Sequence, residues 1–172
     1  MILFDKEGVQ KEVPVERLTV EVQQSRYKGE FDIVIKSFIK RDDDSTVENS
    51  LALTIEQAQD LGQWILEWQE RDWKESANYS RELIKARYRC RYYQTDPWDN
   101  SDDIMTIIYA EFEDGTPSRL DFWLTHNDFY EDGEDEILTE STVSLDYDDV
   151  KELAQILANL STINAKVSMS NE

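Results

Sequence analysis

The hydrophobic period of the chain changes from two residues to between three and four, and it does so twice. Apolar and polar residues first alternate through a series of short segments, as they do in half-buried β-strands. Each series then gives way to apolar residues three and four positions apart, which is the buried stripe of an amphipathic helix. We therefore predict an α+β protein of two strand-rich units, each approximately ββββα, in which an antiparallel sheet is followed by a packed helix.

The first predicted unit covers residues 1–76. Thr54 is of a residue type that favours the N-cap, and the helical stripe begins directly after it, so a helix is predicted over 55–73. A short hairpin is also predicted from Ile2 to Val13, around Lys6-Glu7-Gly8. The other strands are predicted in RLTVEVQ (17–23), EFDIVIKSFIK (30–40) and VENSLALT (47–54).

The second predicted unit covers residues 80–160 and closes with a helix over 147–160. Its helical stripe coincides with that of the first unit after a shift of 92 residues, which indicates either an internal repeat or a common strand-then-helix pattern used twice. Residues 161–172 are predicted to be a flexible tail, and the two units to form one compact body. The strands are predicted in RELIKARYRCRYYQ (81–94), DIMTIIYAEFED (103–114), SRLDFWLTH (118–126) and ILTESTVSLD (137–146), with a hairpin turn at Asp114-Gly115-Thr116-Pro117.

The alternation also assigns the two faces of the central strands in the second unit. The core-facing residues are predicted to be Ile104, Thr106, Ile108, Ala110 and Phe112 on one strand and Leu120, Phe122 and Leu124 on the next. The outward-facing residues are then Met105, Ile107, Tyr109, Glu111, Asp121 and Trp123.

The charge balance restricts the class of partner. The chain carries 38 acidic and 18 basic residues, a net charge of -20, which repels nucleic acid and anionic membranes and attracts cationic surfaces. A disordered chain is excluded because 40% of the residues are hydrophobic and 11% are aromatic. A single cysteine, Cys90, allows no internal disulfide, and neither a leader nor a membrane-length apolar run is evident. We therefore expect a cytoplasmic protein that does not enter a membrane.

One predicted strand departs from this acidic character. Residues 81–91 contain five basic residues, and alternation places neighbouring charges about 6.6–7 Å apart on one strand face, close to the phosphate repeat of an extended single strand. Outward aromatic rings on the same sheet would allow bases to stack. The predicted nucleic-acid face comprises Lys85, Arg87, Arg89, Arg91, Tyr93, Tyr109 and Trp123.

The predicted order of strands and helices is similar to that of the Whirly and Pur-type nucleic-acid-binding folds, which also pair ββββα units. This resemblance rests on the order of the elements, and the net charge of -20 departs from the basic character of those proteins. The resemblance implies a sheet face that carries nucleic acid.

The basic strand is also compatible with two roles that do not involve nucleic acid. Its cations can pair across strands with the acids Asp103, Glu111, Glu113 and Asp121. The apolar outer face can also be covered by the first unit or by a second subunit, because so apolar a face is seldom left in water.

The acidic residues are concentrated in segments predicted to be loops. If the second unit is a simple meander, segments 96–103 and 127–136 lie at the same end of its sheet and form one acidic edge. Such an edge can bind a basic protein surface, or mimic nucleic acid in a basic groove, with association accelerated by electrostatic steering. The partner-binding acids are predicted to be Asp96, Asp99, Asp102, Asp103, Asp128, Glu131, Asp132, Glu134, Asp135 and Glu136.

Two simpler roles are open to these acids, which can keep the loops solvated or bind divalent cations adventitiously. A calcium-binding EF-hand loop with Gly133 at its sixth position is excluded, because the template would place Tyr130 and Thr139 at ligand positions.

No catalytic constellation is evident. The alternation points Cys90 to the core, and His126 is predicted at a strand end beside a loop, so a Cys–His nucleophilic pair is disfavoured. One cysteine and one histidine are too few ligands for a zinc site. We therefore predict no catalytic residues, no metal, no cofactor and no enzymatic activity.

The sequence favours a non-enzymatic acidic binding protein that engages a basic protein surface. An inhibitor, immunity or adaptor protein of the kind that phages and mobile elements encode fits this description. Single-stranded nucleic-acid binding by the strand 81–93 is the alternative hypothesis. A further alternative is a homodimer, chaperone-like or structural, that buries the outer aromatic face between its copies.

Overall fold

The computed structural model describes residues 1–9, 15–25, 29–73, 85–91, 101–110, 118–129 and 135–161. In the first half, four strands precede a helix that continues into a five-residue π-helical turn, Gln69–Trp73. These elements are β1 (Ile2–Glu7), β2 (Val15–Gln24), β3 (Phe31–Lys40), β4 (Thr46–Leu53) and α1 (Ile55–Trp68). The second half has the same order, with β5 (Lys85–Arg91), β6 (Ser101–Ala110), β7 (Arg119–Phe129), β8 (Asp135–Leu145) and α2 (Tyr147–Ala158).

Each half forms one antiparallel sheet whose strands are hydrogen-bonded in chain order, β1-β2-β3-β4 and β5-β6-β7-β8. This arrangement confirms the predicted α+β class, with two strand-rich units that are each followed by a helix. The predicted turn 114–117 and the predicted tail, apart from Ser161, lie outside the described residues.

The predicted hairpin from Ile2 to Val13 is wrong. The whole of β1 pairs with β2, so that Glu7 lies opposite Arg17 and Phe4 lies opposite Val20. Phe4 and Val20 are both buried in the core. In the predicted hairpin Phe4 would instead lie opposite the segment VQKEV (9–13), which has polar residues at its three central positions. Burial of apolar side chains therefore overrides the local turn signal at Lys6-Glu7-Gly8.

Both helices begin with a side-chain cap. The Thr54 hydroxyl accepts a hydrogen bond from the Gln57 backbone N–H at 3.1 Å, and the Gln57 side chain accepts one from the Thr54 backbone N–H at 3.0 Å. This reciprocal capping box satisfies two donors that the helix leaves unpaired, and it confirms the predicted N-cap. At α2 the Asp146 carboxylate accepts from the Asp149 backbone N–H at 2.9 Å.

One hydrophobic cluster receives side chains from both sheets and both helices. The two helices pack against each other at Gly62 of α1. A β-carbon at Gly62 would lie 2.5 Å from the Ala158 backbone nitrogen and 2.7 Å from the Ala154 carbonyl oxygen. The absence of a side chain therefore allows the two helix backbones to approach closely.

The predicted faces of β6 are reversed. Met105, Ile107 and Tyr109 are at most 2% exposed and belong to the core, whereas the predicted core residues Ile104 and Ile108 are only half-buried. Thr106, in the same predicted row, is buried at 6% exposed, and Phe112 lies outside the described residues. Both rows of this strand are apolar, so the alternation alone does not distinguish them. The register decides, because Met105 lies opposite Leu124 and Ile107 opposite Phe122, and residues directly opposite each other share a face. On β7 the predicted inward residues Leu120, Phe122 and Leu124 are confirmed as buried.

An aromatic cluster joins α1, β6 and α2 around Trp68. The Trp68 ring lies 5.3 Å from both Trp73 and Tyr109, measured between centroids, and stacks on Trp64 at 6.4 Å. Trp73 in turn meets the edge of Tyr147 at 5.0 Å. Trp68 is 1% exposed, and its indole N–H has no hydrogen-bond partner in the described part of the chain.

A buried polar seam connects the two sheets where their core faces meet. The Asn49 amide donates to the Ser141 hydroxyl at 2.7 Å, and Asn49 Oδ1 accepts from the Thr139 hydroxyl at 2.6 Å. Ser141 also shares a hydrogen bond with Ser37 of β3. Since Asn49 is 4% exposed and Ser141 is 2% exposed, these groups rely on each other rather than on water.

Asn49→Ala is expected to lower the free energy of unfolding by about 1 kcal/mol, since Thr139 and Ser141 each lose a partner while Ser37 remains bonded to Ser141. Urea denaturation followed by circular dichroism measures the change. Ser50→Ala, at the adjacent half-buried position of β4, is the matched control and should have little effect. Equal losses in the two variants would contradict a stabilising role for the seam.

The first unit also pairs with the outer edge of β8. The Val9 backbone N–H donates to the Ser144 carbonyl at 2.8 Å, and the Ser144 N–H donates to Glu16 Oε1 at 3.1 Å. Glu16 is 6% exposed, so its carboxylate is withdrawn from water at this junction. Nearby, Lys6 Nζ lies 3.1 Å from Glu152 and 3.7 Å from Asp149 of α2.

The protonation of Asp149 should link stability to pH. Burial, and next the negative charge of Asp146, raises the pKa of Asp149 above 3.8, although Lys6 opposes this shift. The folded state then holds this proton more tightly than the unfolded state, so the contribution of Asp149 to stability falls as the pH rises from about 3.8 through the raised pKa.

Asp149→Asn removes this titration, so its stability relative to the unmodified protein should increase as the pH rises from about 3.8 through the raised pKa. Denaturation midpoints of both proteins at several pH values measure the difference. Asp148→Asn changes the net charge equally at an exposed neighbouring position and serves as the control. A stability difference for Asp149→Asn that is the same at every pH, or matched by the control, would contradict the prediction.

Candidate functional site: an acidic end of the second sheet

The strand order of the second sheet brings several acidic positions to one end. β5 and β7 both finish at this end, and β6 and β8 both begin there, because the sheet is an antiparallel meander. The register places Ser101 beside Asp128, and Asp128 beside Glu136. The predicted loop segments 96–103 and 127–136 are therefore partly strand, since residues 101–103 belong to β6, residues 127–129 to β7 and residues 135–136 to β8, and their other residues lie outside the described part of the chain.

The predicted partner-binding acids differ in how the structure places them. Glu136 is exposed and Asp128 is half-buried, at directly opposite positions on β8 and β7. Asp102 lies at the start of β6 opposite Asn127, and Asp135 lies at the start of β8 opposite Phe129. The remaining predicted acids, apart from Asp103, lie outside the described residues; they are Asp96, Asp99, Glu131, Asp132 and Glu134.

Asp103 does not present a free carboxylate at this end. Its side chain lies 2.8 Å from Nδ1 of His126, Oδ1 to ring nitrogen, and the residue is 9% exposed. His126 lies within β7 rather than beside a loop, because β7 extends three residues further to Phe129 than the sequence predicted. Asp103 therefore orients an imidazole ring instead of contributing to the exposed acidic surface, and its assignment to that surface is corrected.

Asp128 and Glu136 form a like-charge pair across β7 and β8. Like charges directly opposite each other in a sheet are unfavourable. The two positions add negative charge at the ends of β7 and β8.

Sequence reasoning missed an apolar feature of this end. Ile137 is 48% exposed and Leu138 is 47% exposed, although consecutive residues of a strand ordinarily point to opposite faces. The register shifts here, with Ile137 opposite Asn127 and Thr139 opposite His126, so that Leu138 is bulged out of the pairing. The only sequence signal is the Ile-Leu dipeptide that directly follows the acidic run DGEDE.

The predicted nucleic-acid face loses one of its aromatic residues. Tyr109 is 2% exposed and packs in the core against Trp68 and Trp73, so its assignment to an outer stacking face is wrong. Trp123 is half-buried on β7, and its indole N–H donates to Glu140 at 3.0 Å. Tyr93 lies outside the described residues.

The basic residues of this face lie on β5, an edge strand that pairs with β6. The register of that pairing puts Lys85 opposite Ile108, Arg87 opposite Thr106, Arg89 opposite Ile104 and Arg91 opposite Asp102. Arg91 and Asp102 thus occupy cross-strand positions at which opposite charges stabilise a sheet. Asp121, another proposed partner of the cations, lies 3.0 Å from Arg119 Nε and accepts from the Ser144 hydroxyl at 2.6 Å.

Comparison with known proteins gives no family assignment: no family model matches the chain, and no curated protein matches it. Within the described ranges, no group of three or more His, Cys, Asp and Glu side chains is placed to hold a metal ion. The described helices include none with the length and apolar character needed to cross a bilayer.

Proposed function

We propose that this protein is a non-enzymatic binding protein whose acidic end engages a basic surface of a partner protein. The observation that carries the proposal is the convergence of Asp102, Asp128, Asp135 and Glu136 at one end of an antiparallel meander. The net charge of -20 adds long-range attraction for a cationic partner, which raises the association rate. Such a protein would act as an inhibitor, immunity or adaptor protein by occupying a basic groove.

A fluorescently labelled lysine-rich peptide tests this proposal in anisotropy titrations across a salt series. The unmodified protein should bind it with an affinity that falls as salt is added. The triple variant Glu134→Gln, Asp135→Asn, Glu136→Gln should bind markedly more weakly at low salt. The matched control, Asp60→Asn with Glu67→Gln and Glu70→Gln, removes three exposed charges from α1 and its π-helical turn.

Equal weakening in the two triple variants would mean that net charge alone attracts the peptide, and it would contradict a defined acidic site.

A labelled single-stranded oligonucleotide in the same titrations tests the alternative function. Salt-sensitive binding of the oligonucleotide that falls in Arg87→Ala with Arg89→Ala would replace the acidic-end proposal with single-strand binding. If the acidic end mimics nucleic acid, the protein should also displace the oligonucleotide from its complex with the lysine-rich peptide.

A further inference from the structure

The pairing of Asp103 with His126 places the single histidine of the chain at the acidic end. His126 Nδ1 lies 2.8 Å from Asp103 Oδ1, and the two residues are directly opposite each other on β7 and β6. An ionised carboxylate only accepts hydrogen bonds, so Nδ1 carries the hydrogen and Nε2 holds the lone pair that takes up a proton. The side chain of His126 is 34% exposed and that of Asp103 is 12% exposed, so the imidazole is the more accessible member of the pair.

The register puts two further carboxylates on the sheet face that His126 occupies. Asp128 is two residues beyond His126 on β7, and alternate residues of a strand share a face at a spacing of about 6.6–7 Å. Glu136 lies opposite Asp128 on β8, so it belongs to the same face. His126 therefore shares one sheet face with three acidic residues.

The other elements around His126 bring no further charge to this face in the part of the chain that the structure describes. The nearest positions of these elements are held by residue types that are uncharged at neutral pH: Ser37 of β3, Asn49 of β4, Cys90 of β5 and Thr139 of β8. The charged residues of the alternate rows belong to the opposite face by register: Arg89 and Arg91 of β5, Asp102 of β6 and Glu140 of β8. The acids of α2 follow Leu145, roughly 20 Å further along β8 than Thr139.

We propose that His126 makes the acidic end sensitive to pH, so that a basic partner protein is held at neutral pH and released in mildly acidic solution. Imidazole ordinarily changes charge between about pH 5 and pH 8, whereas carboxylates ordinarily stay ionised above about pH 5. With a neutral imidazole, the Asp103–His126 pair carries one negative charge, and protonation at Nε2 cancels it. This inference rests on the proposed function, because it concerns the affinity of the same acidic end.

Protonation of His126 and binding of a cationic partner oppose each other. A cationic segment near Asp128 and Glu136 repels the imidazolium, so a bound partner should expel the proton, and the proton should weaken the partner by the same factor. One unit charge at about 7–10 Å in an aqueous environment changes an affinity by about two- to fivefold. The hydrogen bond between imidazolium and Asp103 is charge-assisted, so the proton changes the charge of this end while preserving its local structure.

The labelled lysine-rich peptide tests the switch in anisotropy titrations at about pH 7.5 and about pH 5.5, with ionic strength held constant. The unmodified protein is expected to bind it about two- to fivefold more weakly at the lower pH. His126→Asn is neutral at both pH values, and its amide can donate to Asp103 from the position of Nδ1, so most of this pH dependence should disappear. Circular dichroism at both pH values confirms that each variant is folded.

A second variant controls for net charge. Gln63→His, combined with His126→Asn, restores one histidine at an exposed position of α1, outside the second sheet, and should not restore the pH dependence. Restored pH dependence in that protein would show that total charge is responsible, and it would overturn the switch.

Calorimetry provides a measurement that depends on no substitution. Titration of the peptide into the unmodified protein, in buffers of different ionisation enthalpy, counts the protons exchanged on binding. Proton release should be greatest between about pH 5.5 and about pH 7 and close to zero at about pH 8. Release confined to pH values below about 5, where carboxylates titrate, would overturn the assignment to His126.

The outcomes separate the switch from the proposed function. If salt and neutralisation of Glu134, Asp135 and Glu136 both weaken peptide binding, but His126→Asn keeps the full pH dependence, the acidic site stands and the switch is overturned. If the protein binds no peptide at low salt at either pH, both proposals are overturned.

Discussion

Trp68→Ala is expected to lower the free energy of unfolding by about 3–5 kcal/mol, as removal of a buried aromatic ring usually does. Trp68 is 1% exposed and contacts the rings of Trp64, Trp73 and Tyr109, so its removal leaves a cavity where α1 meets β6. Urea denaturation followed by circular dichroism measures the loss without depending on tryptophan fluorescence.

Trp68→Phe should cost much less than Trp68→Ala. The phenyl ring fills part of the cavity, and the substitution also removes an indole N–H that is buried without a partner in the described part of the chain. Trp123→Ala is the control for loss of an indole ring, because Trp123 is half-buried on the other face of the second sheet. A loss for Trp123→Ala as large as that for Trp68→Ala would contradict the assignment of the core to the Tyr109 face.

Gly62→Leu is expected to destabilise the protein by about 3 kcal/mol or more, because the side chain would be inserted between two helix backbones. A β-carbon would lie 2.5 Å from the Ala158 nitrogen and 2.7 Å from the Ala154 carbonyl oxygen, which are backbone atoms and cannot rotate away as a flexible side chain could. It would also lie 2.7 Å from the Leu157 Cβ. The stability of Gly62→Ala should lie between that of the unmodified protein and that of Gly62→Leu, since its gain in helix propensity of about 1 kcal/mol offsets part of the clash.

Gln63→Leu provides the matched control for Gly62→Leu, because Gln63 is the next residue of α1 and is exposed. Its effect should stay within about 0.5 kcal/mol, as for other surface substitutions. Thermal and urea denaturation of the four proteins give the order of stability. A Gly62→Ala variant more stable than the unmodified protein would show that α2 can move away from α1 at little cost.

The hydrophobic period predicted the element order because each strand and helix buries its own apolar row. Thr54 and the stripe of α1 illustrate this point, since the cap and the periodicity act within a few residues of each other. The period failed at β6, where Met105, Ile107 and Tyr109 alternate with a second apolar row and only the pairing with β7 selects the buried one. Contacts between strands therefore decide which row of β6 is buried, and the sequence of one strand does not specify those contacts.

The acidic end was predicted in part for the same reason. A meander places the ends of neighbouring strands together, so the clustering of Asp128 and Glu136 followed from topology and composition. The pairing of Asp103 with His126 could not be predicted from topology and composition, because it depends on the length of β7 and on the register of two strands. The exposure of Ile137 and Leu138 depends on a bulge, and no residue type in that segment requires one.

The junction at Ser144 has a consequence for the way the chain is synthesised and folded. Glu16 and Ser144 are hydrogen-bonded across 128 residues of sequence, and Val9 pairs with the same residue. During translation, the first sheet therefore leaves the ribosome long before the strand edge that it shields has been made. Contacts of such long range slow folding, and the β8 edge is open to pairing with other nascent chains until Val9 and Glu16 bind to it. The hydrogen bond of Glu16 therefore forms late, after β8 has been synthesised.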